Sequence, residues 1–194
     1  MTGEDSRSRI LAAALDEFAA KGLAGVRVDQ IARLAGVNKA MIYYHFASKE
    51  DLFNAVFQGE MADLKNHLAV ITSARDLRTR EGQIAAVEAV LAYAAERKKF
   101  LSILLSSALM QPDVQQHLFQ LLDVSAAAGL SVEDEGGGKA ASPDEQALLH
   151  ELFTGLLPLV TFVLLRQGLV SYYGWDEAGL NQCFIENWLG QHLG

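Results

Sequence analysis

Between Arg27 and Lys49 the chain gathers a lysine, two tyrosines and a histidine behind a glycine turn. Lys39, Tyr43, Tyr44 and His45 all follow Gly36 within one short stretch. Side chains of this kind donate hydrogen bonds to another molecule rather than perform covalent chemistry. A lysine ammonium can donate to guanine O6 or N7, while Ala40 and Met41 can touch thymine methyls. No spacing in the chain points to catalysis. The histidines, His45, His67, His117, His150 and His192, are scattered without an HExxH-type pair, and Cys183 has no metal-ligand neighbour. Gly136-Gly137-Gly138 lacks the lysine and serine of a phosphate loop. The expectation is therefore a protein that is not an enzyme and uses no cofactor or metal. One cysteine precludes an intrachain disulfide and suits a reducing compartment.

The elements that must position these groups are helical. Proline is scarce and the chain is 51% apolar and 21% charged, as a folded helical protein would be. Ile10, Ala14 and Phe18 recur every four residues, and Gly22 follows as a stop. Val28–Leu34 and Lys39–Phe46 read as two short helices separated by Ala35-Gly36-Val37. Small Ala32 suits their closest approach, and Gly36 stands where the turn needs a positive φ. Ile31, Val37 and Ile42 fill the apolar positions between them, and Asn38 is a good N-cap. Ser48 caps a further helix that runs to about Val70, with Lys49 at its start.

A polar link over 72–79 precedes a helix through Ala95, and Gln111-Pro112-Asp113 breaks the pattern again. Residues 129–142 read as a mobile loop, and Ser142-Pro143-Asp144-Glu145 as a strong helix start. Pro158 is expected to kink the next helix, and Gly174-Trp175-Asp176 introduces the last one. The fold class is all-α, with about nine helices and two domains: a three-helix helix-turn-helix domain over residues 5–52 and a helical body over 53–194. On these positions alone, Val28–Phe46 fits a plain αα-hairpin as well as a DNA-reading helix-turn-helix.

Charge permits the second reading. Residues 1–54 hold seven Lys/Arg and seven Asp/Glu, so the whole net charge of −8 belongs to the rest of the chain. A neutral end can offer a basic face to phosphates while an acidic body points away. The longest apolar stretch, Gly155–Leu165, is shorter than the roughly 20 residues of a membrane span. The start of the chain is polar, without the pattern of a secretory leader. A cytoplasmic protein with no membrane partner is expected.

The stretch Ile31-Ala32-Arg33-Leu34-Ala35-Gly36-Val37-Asn38-Lys39-Ala40-Met41-Ile42-Tyr43-Tyr44-His45-Phe46-Ala47-Ser48-Lys49-Glu50-Asp51-Leu52 resembles the DNA-binding signature of the TetR family. Arg9-Ile10-Leu11, Ala13-Ala14, Phe18 and Gly22 resemble that family's first helix, so the likeness covers about residues 7–57. It implies a transcriptional regulator that binds a palindromic operator in double-stranded DNA as a homodimer, most often a repressor released by a small-molecule effector. Lys39, Ala40 and Met41 look like base-reading positions, and Asn38 opens their helix. Tyr43, Tyr44 and His45 look like phosphate-facing or packing residues, and Lys49 like a phosphate-contacting lysine. Two departures bear on the operator: Arg27 stands where the family often has a capping threonine, and Ala40-Met41 where it often has Gly-Thr.

The resemblance also implies an effector-binding body whose last two helices dimerise. Ala147–Leu165 is too apolar for a helix exposed on one side, which supports a covered face. Leu148, Leu152, Leu156, Phe184 and Trp188 are the interface candidates, with Cys183 near them as a small buried side chain. Tyr93, Met110, His117, Phe119, Phe153, Phe162 and Arg166 are candidates for the wall of an effector pocket, with ordinary core packing as the alternative for each. A helical adaptor that keeps the fold without binding DNA is the alternative function.

Overall fold

A computed structural model describes residues 3–127 and 145–192. The expected loop at 129–142 and the start at Ser142-Pro143-Asp144 lie outside these residues. The described residues contain helices and no strand: α1 (Gly3–Gly25), α2 (Val28–Ala35), α3 (Lys39–His45), α4 (Lys49–Ser73), α5 (Arg80–Glu96), α6 (Lys98–Met110), α7 (Pro112–Ala127), α8 (Glu145–His150), a π-helical turn (Glu151–Leu156), α9 (Leu157–Tyr173) and α10 (Glu177–His192). With Glu145–Tyr173 counted as one helical run, they form nine helices, as the periodicity suggests.

The chain divides into two compact units, residues 1–64 with 99–118, and residues 65–98 with 119–194. The first is larger than the domain expected over 5–52. Its core is why: Ile10, Ala14, Phe18, Ile31, Ile42 and Leu52 pack with Phe53, Val56, Ile103 and Val114, so residues of α4, α6 and α7 complete it. Phe18 meets Phe53 edge to face at 5.3 Å, which ties α1 to α4. Gly22 takes φ +67° and interrupts α1, which nevertheless resumes to Gly25.

In the second unit α5, α9, the π turn and α10 pack on one another. Pro158, expected to kink the helix, coincides with a change of winding. It falls at the second position of α9, directly behind the π turn, whose wider winding brings the chain into α9 with Leu156 and Leu157 still helical. A proline so placed lacks the N–H that would bond the Thr154 carbonyl four residues back, and that carbonyl lies in the π turn. The run Glu145–Tyr173 is consequently unbroken, with a mean hydropathy of 1.9 over 18 residues, long and apolar enough to cross a membrane. The expectation of a stretch too short for that fails. Of that window, 39% is buried in the protein, and the same run contains the buried Glu151.

Candidate nucleic-acid interface

The turn between α2 and α3 is built from backbone geometry. Gly36 ends α2 at φ 64°, ψ 38°, the left-handed region where a Cβ is penalised. Its N–H donates to Arg33 O, and the N–H of Val37 donates to Ala32 O at 3.0 Å, which is a Schellman closure. Arg9 reaches over from α1 and donates from Nη1 to Ala35 O at 3.0 Å, satisfying another carbonyl at that helix end. A Cβ on Gly36 would stand 3.3 Å from the same guanidinium nitrogen. Asn38 then opens α3, its Oδ1 accepting from Met41 N at 2.8 Å. Arg27, at the N-cap of α2, makes no side-chain cap, as an arginine must.

Helix α3 commits one residue to the core, Ile42. Lys39, Ala40, Met41, Tyr43 and Tyr44 are exposed, Tyr44 to 81%. Tyr43 is half exposed, so it is not a core residue within this chain. His45 is half-buried and hydrogen-bonded through Nε2 to the buried Ser6 Oγ at 2.9 Å. Phe46 is buried, with Arg7 stacked 5.4 Å from its ring centroid. The far end of α3 is thus fastened to α1. Beyond it, Ser48 Oγ accepts from Asp51 N at 3.0 Å, and Asp51 Oδ2 accepts from Ala47 N at 2.8 Å. These bonds fix the first turn of α4, where Lys49 lies half-buried.

The residue missed from sequence is Asp29, in the first turn of α2. Its Oδ1 lies 3.0 Å from Lys39 Nζ, and its Oδ2 accepts from the same ammonium at 3.2 Å. The hydrogen bond to Asp29, then its charge, raises the Lys39 pKa above the usual lysine value, so the ammonium is firmly protonated at neutral pH. Ten residues separate the pair on different helices, and no helical spacing rule links them.

The pocket candidates do not converge. His117 belongs to the first unit, buried edge-on against Phe57 with Nε2 2.9 Å from Asn54 Oδ1. Burial pushes its pKa down, against a smaller opposing effect from the Val114 backbone. Met110, Phe119 and Phe153 are exposed to 80%, 52% and 62%. Tyr93 is buried, stacked on His67 at 4.1 Å with Arg97 over its ring at 3.7 Å. Phe162 is buried and stacked on Phe184 at 3.9 Å. Arg166 lines a cleft of about 530 Å³ within the second unit. Residues of α5, α9 and α10 form it: Ile84, Leu91 and Ile185 are apolar, and Glu88, Asn181 and Glu186 are polar. Arg166 donates from Nη1 to Asn181 Oδ1 and pairs through Nε with Glu177, each at 3.3 Å.

Two interface candidates are consumed inside the chain. Leu156 and Trp188 are buried, and the Trp188 indole donates to Gly155 O at 2.9 Å. Leu148, Leu152 and Phe184 are half-buried, whereas Leu149, Phe153, Leu165 and Tyr172 are exposed. Cys183 is exposed rather than buried. At about 100° per residue it lies nearly opposite Ile185 on α10, away from the stripe of Ile185, Trp188, Leu189 and His192.

That stripe ends in a polar cluster with no sequence signal. Glu151 Oε2 lies 3.2 Å from His192 Nε2, and Ser125 Oγ donates to Glu151 Oε1. Thr154 Oγ1 donates to His150 O, so His192 Nδ1, 3.0 Å away, donates to Thr154. Burial favours the neutral carboxyl of Glu151, but the contacts with His192 and Ser125 and the nearby imidazoles outweigh it, leaving its pKa lowered. Ser125 bonds to the acid and not to the imidazole, so the group is not arranged as a nucleophile with its base.

A short exposed helix behind a Schellman-closed glycine turn, on an all-α chain, defines a helix-turn-helix protein. Residues 10–56 match the family model of bacterial regulatory proteins, tetR family. The HTH-type transcriptional regulator TtgW of Pseudomonas putida is 33% identical over 104 residues, 53% of this chain and 74% of that protein. The HTH-type transcriptional repressor SCO4008 of Streptomyces coelicolor is 44% identical over 61 residues, 31% of this chain and 32% of that one. The match thus spans about a third of the Streptomyces repressor. A TetR-like transcriptional regulator from Rhodococcus sp. RHA1 superposes with a TM-score of 0.64 at 21% identity, covering 95% of this chain and 94% of that one, a likeness of fold. The chain belongs to the TetR family.

Proposed function

We propose that this protein is a cytoplasmic, sequence-specific DNA-binding regulator of transcription that acts as a homodimer and leaves its palindromic operator when a small molecule binds. One observation carries the proposal: of the seven residues of α3, Ile42 alone is buried, and Lys39, Ala40, Met41, Tyr43 and Tyr44 stand in solvent on a rigidly capped helix. A helix that only stabilised its own domain would bury more of its apolar and aromatic surface. In the complex, Lys39, Ala40 and Met41 meet base edges, while Arg27, Tyr43, Tyr44, His45 and Lys49 meet the backbone.

Two copies are needed because a seven-residue helix reads few base pairs, and paired half-sites multiply affinity and fix spacing. The exposed Leu149, Phe153 and Leu165 supply apolar surface for that pairing. The effector is proposed to enter the cleft at Arg166, whose volume suits a small organic molecule. Helix α4 contributes residues to both units, so a shift of α4 is the proposed route from effector to recognition helix. A coupling of about 1–3 kcal/mol would suffice.

Selection of preferred sites from random duplexes, with binding then measured across a salt series, tests this. The expected result is a two-fold symmetric site and a steep fall of affinity with salt. Lys39→Ala should relax one base pair per half-site by about 1–3 kcal/mol, and Lys49→Ala should weaken all duplexes alike. Binding with neither sequence preference nor salt slope would leave a helical adaptor as the function.

A further inference from the structure

Resting on the DNA-reading role proposed for α3, we infer that Asp29 sets operator specificity by positioning Lys39. Both Asp29 oxygens lie within 3.2 Å of the Lys39 ammonium. The pair is open to solvent, the side chains 68% and 51% exposed. Exposed ion pairs contribute little to folding. The effect of this one is on where the charge can go.

A lysine carries a compact cation on a flexible stem, and beside a duplex the nearest strong acceptors are phosphate oxygens. A phosphate contact made by Lys39 would add affinity for every sequence and discriminate none. Asp29 is a carboxylate on the neighbouring helix that takes up this cation through two oxygens at one edge. An ammonium has three N–H donors, so at least one remains for a guanine edge while the acid restrains the stem. Asp29 also repels phosphate, which lowers the affinity for DNA of any sequence. It is a positioning residue, and its effect on the operator passes through Lys39.

The bland account of Asp29 is an acid placed to complement the N-terminus of α2, a position where negative charge is favourable. Stability cannot separate the two accounts, but the ratio of operator to random binding can. The test compares the parent chain, Asp29→Asn and Asp29→Glu on the selected operator and on a shuffled duplex of equal length, across salt. Glu50→Gln, which neutralises an exposed acid in the first turn of α4, serves as the charge control.

With Asp29→Asn, binding to the shuffled duplex should tighten several-fold. Its salt slope should steepen by about one unit as the released lysine takes a phosphate. The operator-to-shuffled ratio should fall about tenfold, Asp29→Glu should restore much of it, and Glu50→Gln should strengthen both duplexes equally. In a Lys39→Ala background, Asp29→Asn should leave the ratio unchanged, since the positioned group is gone. An Asp29→Asn ratio equal to that of the parent overturns the inference while leaving DNA reading intact. A parent chain that shows no preference for any sequence overturns both.

Discussion

In the first unit the polar side chains of α3 face solvent around one buried residue, Ile42, and the helix is held by its ends: Gly36 and Asn38 before it, Ser6 and Arg7 after it. In the second unit α10 buries Ile185, Trp188, Leu189 and His192, and closes on a buried acid at the π turn. Backbone rules secure the first helix, and tertiary contact secures the second. A surface that must meet another molecule cannot use its own side chains as cement, so its rigidity has to come from caps and turns. A helix that meets only its own chain has no such constraint.

The contrast predicts unequal sensitivity to substitution. The largest effect belongs to Gly155→Val. A Cβ there would stand 2.7 Å from His192 Cε1 and 2.9 Å from Glu151 Oε1. The His192 side chain is fully buried, hydrogen-bonded through Nδ1 to Thr154 and with Nε2 3.2 Å from Glu151, so it has little room to swing clear. A loss of about 3 kcal/mol is expected in thermal or denaturant unfolding. A valine variant as stable as the parent would show that the packing at the π turn is loose.

Glu151→Gln comes next, at about 2 kcal/mol near neutral pH, from weakened charge-assisted bonds. Its pH dependence has a definite sign. The folded pKa of Glu151 lies below its ordinary 4.5. The stability it supplies is therefore complete above about 4.5 and disappears as pH falls through the lower folded value. Unfolding curves of the parent between pH 6 and about 3 should show that loss, and those of the glutamine variant should lack this component.

Gly36→Ala is the smallest of the three, at about 1–2 kcal/mol, because the penalty is one left-handed residue with a Cβ. Calorimetry reads it directly. If alanine here costs more than valine at Gly155, the contrast between the units is reversed. Should both prove neutral, neither turn limits stability.

These differences also explain what was legible in the sequence. Ala32, Gly36 and Asn38 each answer a local steric or capping rule, so the helix-turn-helix could be placed residue by residue. The exposed face of α3 followed from it. The partners of that face did not: Asp29 with Lys39, Ser6 with His45 and Arg9 with Ala35 cross between helices at no fixed spacing. In the second unit the apolar character of Ala147–Leu165 was plain, but not which of its side chains would turn inward. Leu156 and Trp188 turned inward because the π turn and Gly155 bring α10 close enough for an indole to reach a backbone carbonyl. Glu151 and His192, forty-one positions apart, had no pattern to announce them.

The π turn at Glu151–Leu156 can also be understood as one residue more than a regular helix would hold over the same span. Removing a single residue from it would let the whole run wind uniformly. Because the wider turn already absorbs that residue, everything after the deletion would keep its direction about the helix axis. Winding the full sequence as a regular helix instead would turn Leu159, Val160, Phe162 and Val163 by about 100° out of the core they now fill. The wider turn acts as slack in the winding: it takes up one residue and so keeps the same side of α9 inside.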